Sequence, residues 1–270
     1  MTVKSIMAFV QPHEARKMPA ALSYALALGA ASAARVVVLS YVVDVVGPGA
    51  DAAEDGRSEE EQLADARAAI QAQSDKLGVS CEVVDRSNFA YGIGEVFADH
   101  LKVADVGVLH AGLGPYSGER LLVNAALFES GRPVILVPEA KAGGLPRRVL
   151  VAWDGTPASA RAMHEALPIL ALAGEAIVAR VSNDKILRMD QSGIEAAHHL
   201  ARHGIRATFR DVPRESRDVL RALTDTARDT GCDMIVCGAL RHSTAHDLLF
   251  GSVTQGVLSG GSDVPVFMTS

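Results

Sequence analysis

Gly238, Gly251 and Ser252, with Arg241 between them, stand near the C-terminus in the arrangement of a phosphate cradle. Gly238 follows an apolar run, Asp233–Cys237, that reads as a buried strand. Ser252 precedes Val253–Leu258, which reads as the start of a helix. A strand, a long loop and a Gly-Ser pair leading into a helix make an anion site. The first backbone N–H groups of a helix lack intrahelical partners, and the helix dipole there favours negative charge. Glycine lets the backbone approach a phosphate closely, and the Ser252 hydroxyl adds a donor. The same pair is also ordinary capping chemistry, so its place in the architecture has to decide.

Other groupings carry less. His199 and His203 stand four apart in a helix expected over 193–203, with His198 alongside. Two imidazoles at that spacing can share a metal, but no Glu follows the first and no third ligand is evident, so a polar helix face is the expectation. Gly92 and Gly94 lack the strand–loop–helix order of a dinucleotide fingerprint and are expected to break the chain before the helix containing Val96 and Phe97. Arg214, Arg217 and Arg221 alternate with Asp218, Asp225 and Asp229 over a helix expected at 214–229, the pattern of a solvated, ion-paired face. His242, Ser243, His246 and Asp247 lie within the 239–250 loop, but no activated nucleophile or general base is assignable beside them. The chain is therefore not read as an enzyme, and any turnover is expected to be very slow.

The elements that position these residues come in two matching series. Lys4–Val10 reads as a strand, followed by an Ala/Leu-rich helix over 19–33 and a second strand, Val36–Val42. Arg147–Trp153, a helix over 158–172 and Ala176–Val181 repeat that order. Ala104–Leu109 matches Cys232–Cys237, and Arg132–Val137 matches Val264–Met268. Strands alternating with helices imply right-handed crossovers and a parallel sheet, and the recurrence implies two related α/β domains joined by Glu139–Pro146. The acidic run Asp51–Glu61 reads as a solvated loop entering a helix, with Glu59 to Glu61 at its positive end.

Composition agrees. Of 270 residues 49% are hydrophobic but only 4% aromatic, so the core rests on Ala, Val, Leu and Ile, as suits helices packed on a parallel sheet. Cys81, Cys232 and Cys237 are too few and too irregular for a disulfide framework. The net charge of −6 argues against nucleic-acid binding. No apolar run is long enough to span a bilayer, so no membrane role and a cytoplasmic location are expected.

The ordered features resemble a known family. Val149–Thr156 (Val-Leu-Val-Ala-Trp-Asp-Gly-Thr), the closing Gly251-Ser252 loop, the final Val264–Met268 strand (Val-Pro-Val-Phe-Met) and Ala125–Val134 are together similar to a tandem universal stress protein, with domains over 1–140 and 146–270. The resemblance implies two tandem five-stranded parallel-sheet domains of the Rossmann-like, adenine nucleotide alpha-hydrolase-like kind, each with strand order 3-2-1-4-5. In that order the crevice between strands 1 and 4 is the ligand position. It implies that Asp154 contacts adenosine, that Val181 meets adenine through its main chain, and that Gly238, Gly251 and Ser252 form the phosphate loop. The family's second loop glycine is here Arg241. That arginine strains or reroutes the loop, holds phosphate through its guanidinium, or fills the site or points to solvent.

The implied ligand is ATP or another adenine nucleotide, with Mg²⁺ arriving on the nucleotide and no metal held by protein ligands. The first half departs further: Gln11 stands at the position of Asp154, and His110–Arg120 has no Gly-Ser pair at the required distance. That half reads as mainly structural. Family domains pair through their last strands, so Pro133–Val137 and Pro265–Met268 are expected to make an intramolecular pseudo-dimer, with a homodimer as the further option. The implied function is a stress-response regulator acting on a protein client; the alternative is a scaffold whose clefts are relics.

Overall fold

The computed structural model describes residues 2–41, 57–84, 92–112, 117–139, 144–182, 192–239, 241–244, 247–250 and 252–270. Its first half runs β1 (Ser5–Val10), α1 (Pro12–Ala15), α2 (Ala20–Ser32), β2 (Arg35–Ser40), α3 (Glu59–Leu77), β3 (Cys81–Val84), α4 (Ile93–Leu101), β4 (Val106–His110), α5 (Gly118–Glu129) and β5 (Val134–Val137). The second half runs β6 (Val149–Ala152), α6 (Pro157–Glu165), α7 (Leu167–Ala173), β7 (Glu175–Ser182), α8 (Ser192–Arg202), β8 (Arg206–Pro213), α9 (Val219–Thr230) and β9 (Met234–Gly238). It closes with β10 (Arg241–Thr244), β11 (Asp247–Phe250), α10 (Ser252–Leu258) and β12 (Val266–Thr269).

Local chemistry sets several boundaries. Ser58 Oγ accepts from Glu61 N–H, and the Glu61 carboxylate accepts from Ser58 N–H at 2.9 Å, a reciprocal cap that starts α3 with Glu59 to Glu61 in its first turn. Residues 51–56 of the acidic run lie outside the described residues. The helix expected over 158–172 is two helices. It breaks at Ala166 because Pro168 has no N–H to continue the ladder and sits instead in the first turn of α7. The helix expected from 214 begins at Val219, where Asp218 accepts from Arg221 N–H at 2.8 Å. Arg217 and Arg221 both reach Asp225, at 3.4 and 3.1 Å, as the ion-paired face required.

The ten-stranded sheet has the order β3-β2-β1-β4-β5-β12-β9-β6-β7-β8. Within each half this is 3-2-1-4-5, with parallel neighbours throughout. The halves meet at one antiparallel pair, β5 with β12, where Phe267 faces Ile135. The last strands thus pair within one chain.

Side chains alternate between two cores, one on each face. Ile6, Ala8 and Val10 pack with Leu22 and Leu26 of α2, while Met7 and Phe9 pack with Phe97 of α4 and Leu122 of α5. In the second half Val149 and Val151 share the first face with Met163 of α6 and Leu200 of α8. Leu150 lies on the other, with Leu223 of α9 and Leu258 of α10. In each half, therefore, the helices after the first and fourth strands lie on opposite faces, and a crevice opens between those strands' carboxyl ends.

One expectation fails here. Where a loop was expected over 239–250, β10 and β11 pair antiparallel, Arg241 with Phe250 and Thr244 with Asp247. With two residues between them, the strands satisfy each other's backbone groups, which a loop of that length would leave to solvent. Among the described residues no helix is long and apolar enough to cross a membrane.

Candidate functional site

The second-half crevice is built where β6, β7 and β9 end. Continuing the β6–β7 register two residues past Ala152↔Ala179 brings Asp154 level with Val181. Continuing the β6–β9 register two residues past Val151↔Val236 brings Trp153 level with Gly238. The fold thus gathers three of the expected site residues within one residue of the same level on three adjacent strands. Arg241 lies in β10 and Ser252 opens α10, both described through their backbone; Gly251 lies outside the described residues.

Asp154 is half-buried, and its placement is fixed by its own turn. Its Oδ1 accepts from Thr156 N–H at 3.1 Å and from Thr156 Oγ1 at 2.6 Å. Gly155, at φ +70, supplies the left-handed residue this turn needs. Thr156 Oγ1 then accepts from Ser159 N–H at 3.2 Å, capping α6. Thr156 thus holds the Asp154 carboxylate and starts α6; Thr-Pro ahead of a helix is a recognisable cap-and-N1 signal. Next to this turn the wholly buried Cys237 thiol is pushed up to about 12, first by burial and then by the Asp154 carboxylate. Such a thiol is inert.

Val181 presents its backbone to the crevice. Ala179 C=O accepts from Trp153 N–H at 2.8 Å and so faces β6, while Ser182 C=O accepts from Arg214 N–H at 3.3 Å and faces the β8 side. Backbone direction alternates along a parallel strand, so Val181, two residues beyond Ala179, faces the β6 side, past the end of that strand. Its main-chain donor and acceptor therefore face the space beyond the end of β6.

Gly238 lies hard against α6. A Cβ there would lie 2.8 Å from both the carbonyl carbon and the Cβ of Ala158, in the first turn of α6. The glycine is needed so that α6 can pack on the end of β9. Sequence alone does not separate a glycine that admits a helix from one that admits a phosphate.

The first-half crevice has become acidic. A cavity of about 60 Å³ is lined by Phe9, Val10, Leu109 and His110 at the strand ends and by Glu14, Glu119 and Glu139. Sites for cofactor-sized ligands run to roughly 300 Å³ and more. Gln11 Nε2 donates to Glu119 Oε1 at 2.7 Å, which occupies the side chain standing where Asp154 stands in the other half. Burial, and next the Glu119 charge, raise the Glu14 carboxyl above its ordinary value. Carboxylates crowded this way repel phosphate.

The histidines of α8 gain a neighbour that spacing did not show. His199 packs between His164 of α6 and His203, at ring-centroid distances of 4.8 and 4.7 Å. Among the described residues no group of three or more His, Cys, Asp or Glu is placed to hold a metal ion. Burial, then His164, His203 and Arg202, lower the His199 pKa. The folded state therefore binds fewer protons than the unfolded chain below the free imidazole's pKa, and stability falls as pH drops. Between about pH 7 and about pH 5 the Tm of the wild type is expected to fall more steeply than that of His199→Leu. Parallel pH profiles by thermal melting would refute the histidine assignment.

Residues 146–269 match the model described as the Universal stress protein family. Among solved structures, a universal stress protein from Archaeoglobus fulgidus DSM 4304 is 16% identical, with a TM-score of 0.68, and the match covers 100% of this chain and 99% of that one. A functionally unknown protein from Pseudomonas aeruginosa PAO1 is 14% identical, with a TM-score of 0.59, over 99% of this chain and 92% of its own. At these identities the likeness is one of fold. No curated protein matches the chain.

Proposed function

From the premise that residues 146–269 form a universal stress protein domain, we propose that the chain is a tandem member, with domains over 1–140 and 146–270, acting as a cytoplasmic stress-response regulator. In this reading the second domain binds an adenine nucleotide, ATP foremost. The observation that carries it is the levelling of Asp154 with Val181 at the mouth of the β6–β9 crevice. A carboxylate already oriented by Thr156 is a ready acceptor for a ribose hydroxyl, and the crevice-facing Val181 main chain offers a donor and an acceptor to the adenine edge. The phosphates would meet the backbone N–H groups where α10 begins. Arg241, at the start of β10, stands in the same connection between β9 and α10. Mg²⁺ would arrive with the nucleotide. The regulatory step is linkage: occupancy stabilises one arrangement of the 239–252 segment and so alters the surface shown to a client protein.

One observation favours a second reading, a ligand-free interaction scaffold. The position that a Cβ on Gly238 would take is filled by Ala158, so helix packing accounts for this glycine without a ligand. Calorimetric titration of nucleotide-stripped protein with ATP and ADP separates the two, with Asp154→Ala and Arg241→Gly alongside. The nucleotide reading expects Asp154→Ala to weaken binding about ten-fold or more. Arg241→Gly weakens binding if the guanidinium holds phosphate and strengthens it if the side chain obstructs. Equal heats from wild type and Asp154→Ala would remove the adenosine assignment.

A further inference from the structure

The first half lacks the Gly-Ser loop, yet the corresponding segment reaches across the seam. Ser117 Oγ caps α5 by accepting from Arg120 N–H at 3.3 Å, and the first turn so fixed sends two side chains to different places. Glu119 is tied to Gln11 at the end of β1. Arg120, only 7% exposed, donates from Nη2 to Gln255 Oε1 at 2.8 Å, and Gln255 is in α10 of the second half. A second contact lies just past α10. Gly260 has φ +81, and a Cβ on it would stand 3.0 Å from Cα of Gly112, itself at φ +83. The two backbones touch where a side chain on Gly260 would part them.

Helix α10 has seven residues, too short to hold its own shape. Its inner side packs in the second-half core through Val257 and Leu258, and Gly256 lies against Leu220. At Gln255 and Gly260 it is also held by residues of the first half, Arg120 and Gly112. We propose that Gly112 and Arg120 are a clamp that sets the position of α10, so that the first half governs the site whose last helix it holds. The clamp stands on the geometry alone; its effect on ligand affinity rests on the nucleotide reading above.

Hydrogen exchange on the full chain without nucleotide tests the clamp, comparing wild type, Arg120→Ala, Gln255→Ala and the double variant. Each single substitution is expected to speed exchange of the α10 amides about ten-fold, the size of one hydrogen bond to a charged group, while β9 and β12 amides keep their protection. The double variant should add little to either single. Gln255 is exposed, so its variant remains informative if Arg120→Ala folds poorly. Unchanged α10 exchange in Gln255→Ala, or full additivity in the double variant, overturns the proposal. ATP titration of the same proteins should show a parallel loss of about ten-fold. Absence of ATP binding by the wild type, with α10 exchange still responding, would refute the nucleotide reading and leave the clamp standing.

Discussion

Gly238→Val is expected to lower the free energy of unfolding by about 3 kcal/mol or more, because it forces atoms into a space already filled. The first added carbon would sit 2.8 Å from the Ala158 carbonyl carbon and 3.0 Å from its oxygen. Those are backbone atoms, and the helix carrying them is pinned at its start by the Thr156 cap and the Asp154 turn. Neither neighbour can swing aside as a flexible side chain would, so α6 must lift from the sheet. Urea unfolding without any ligand measures this as a lower midpoint at constant slope. Ala158→Gly in the same background should recover part of the loss, since it removes the facing Cβ. A Gly238→Val cost below about 1 kcal/mol would mean that α6 does not press on β9, and would return Gly238 to the phosphate account.

Phe267→Ala is expected to cost about 3–5 kcal/mol, the range for emptying an aromatic side chain from a packed core. Phe267 is 1% exposed in β12 and faces Ile135 across the antiparallel seam, in the core that holds residues of both halves. The cavity therefore opens where the two halves join. The damage should reach both halves: the variant should still melt in one transition, at a lower temperature, when followed by calorimetry. Two separate transitions, with the first half melting as in the wild type, would show that the seam does not couple them.

How much of this was legible varies with the physics behind each feature. The strands and their recurrence could be read because each strand is an apolar run bounded by turn residues; their order, 3-2-1-4-5, followed from the family resemblance alone. The Pro-Val pattern shared by β5 and β12 marks them as the last strands of each series, but their pairing followed only from the family resemblance. The break at Pro168 was missed because periodicity on either side runs through it. The strands β10 and β11 were missed because Arg241–Thr244 and Asp247–Phe250 do not form an apolar run, and they are defined by pairing with each other.

At the site, Asp154 and Val181 were legible as positions at strand ends, and the structure brings them to one level. Gly238 was legible only as a glycine, and its contact with Ala158 depends on where α6 lands. Arg120 carries no local signal at all. Its partner Gln255 is remote in sequence, and their pairing depends on how β5 meets β12. Contacts of that kind follow from assembly of the halves and not from any window of residues.

The central claim is that the second-half crevice takes an adenine nucleotide. Calorimetric titration of nucleotide-stripped wild-type protein with ATP tests it most directly. The account predicts a saturable heat below millimolar ATP, lost or weakened about ten-fold or more in Asp154→Ala. No detectable heat at millimolar ATP or ADP would contradict it and leave the scaffold reading in its place.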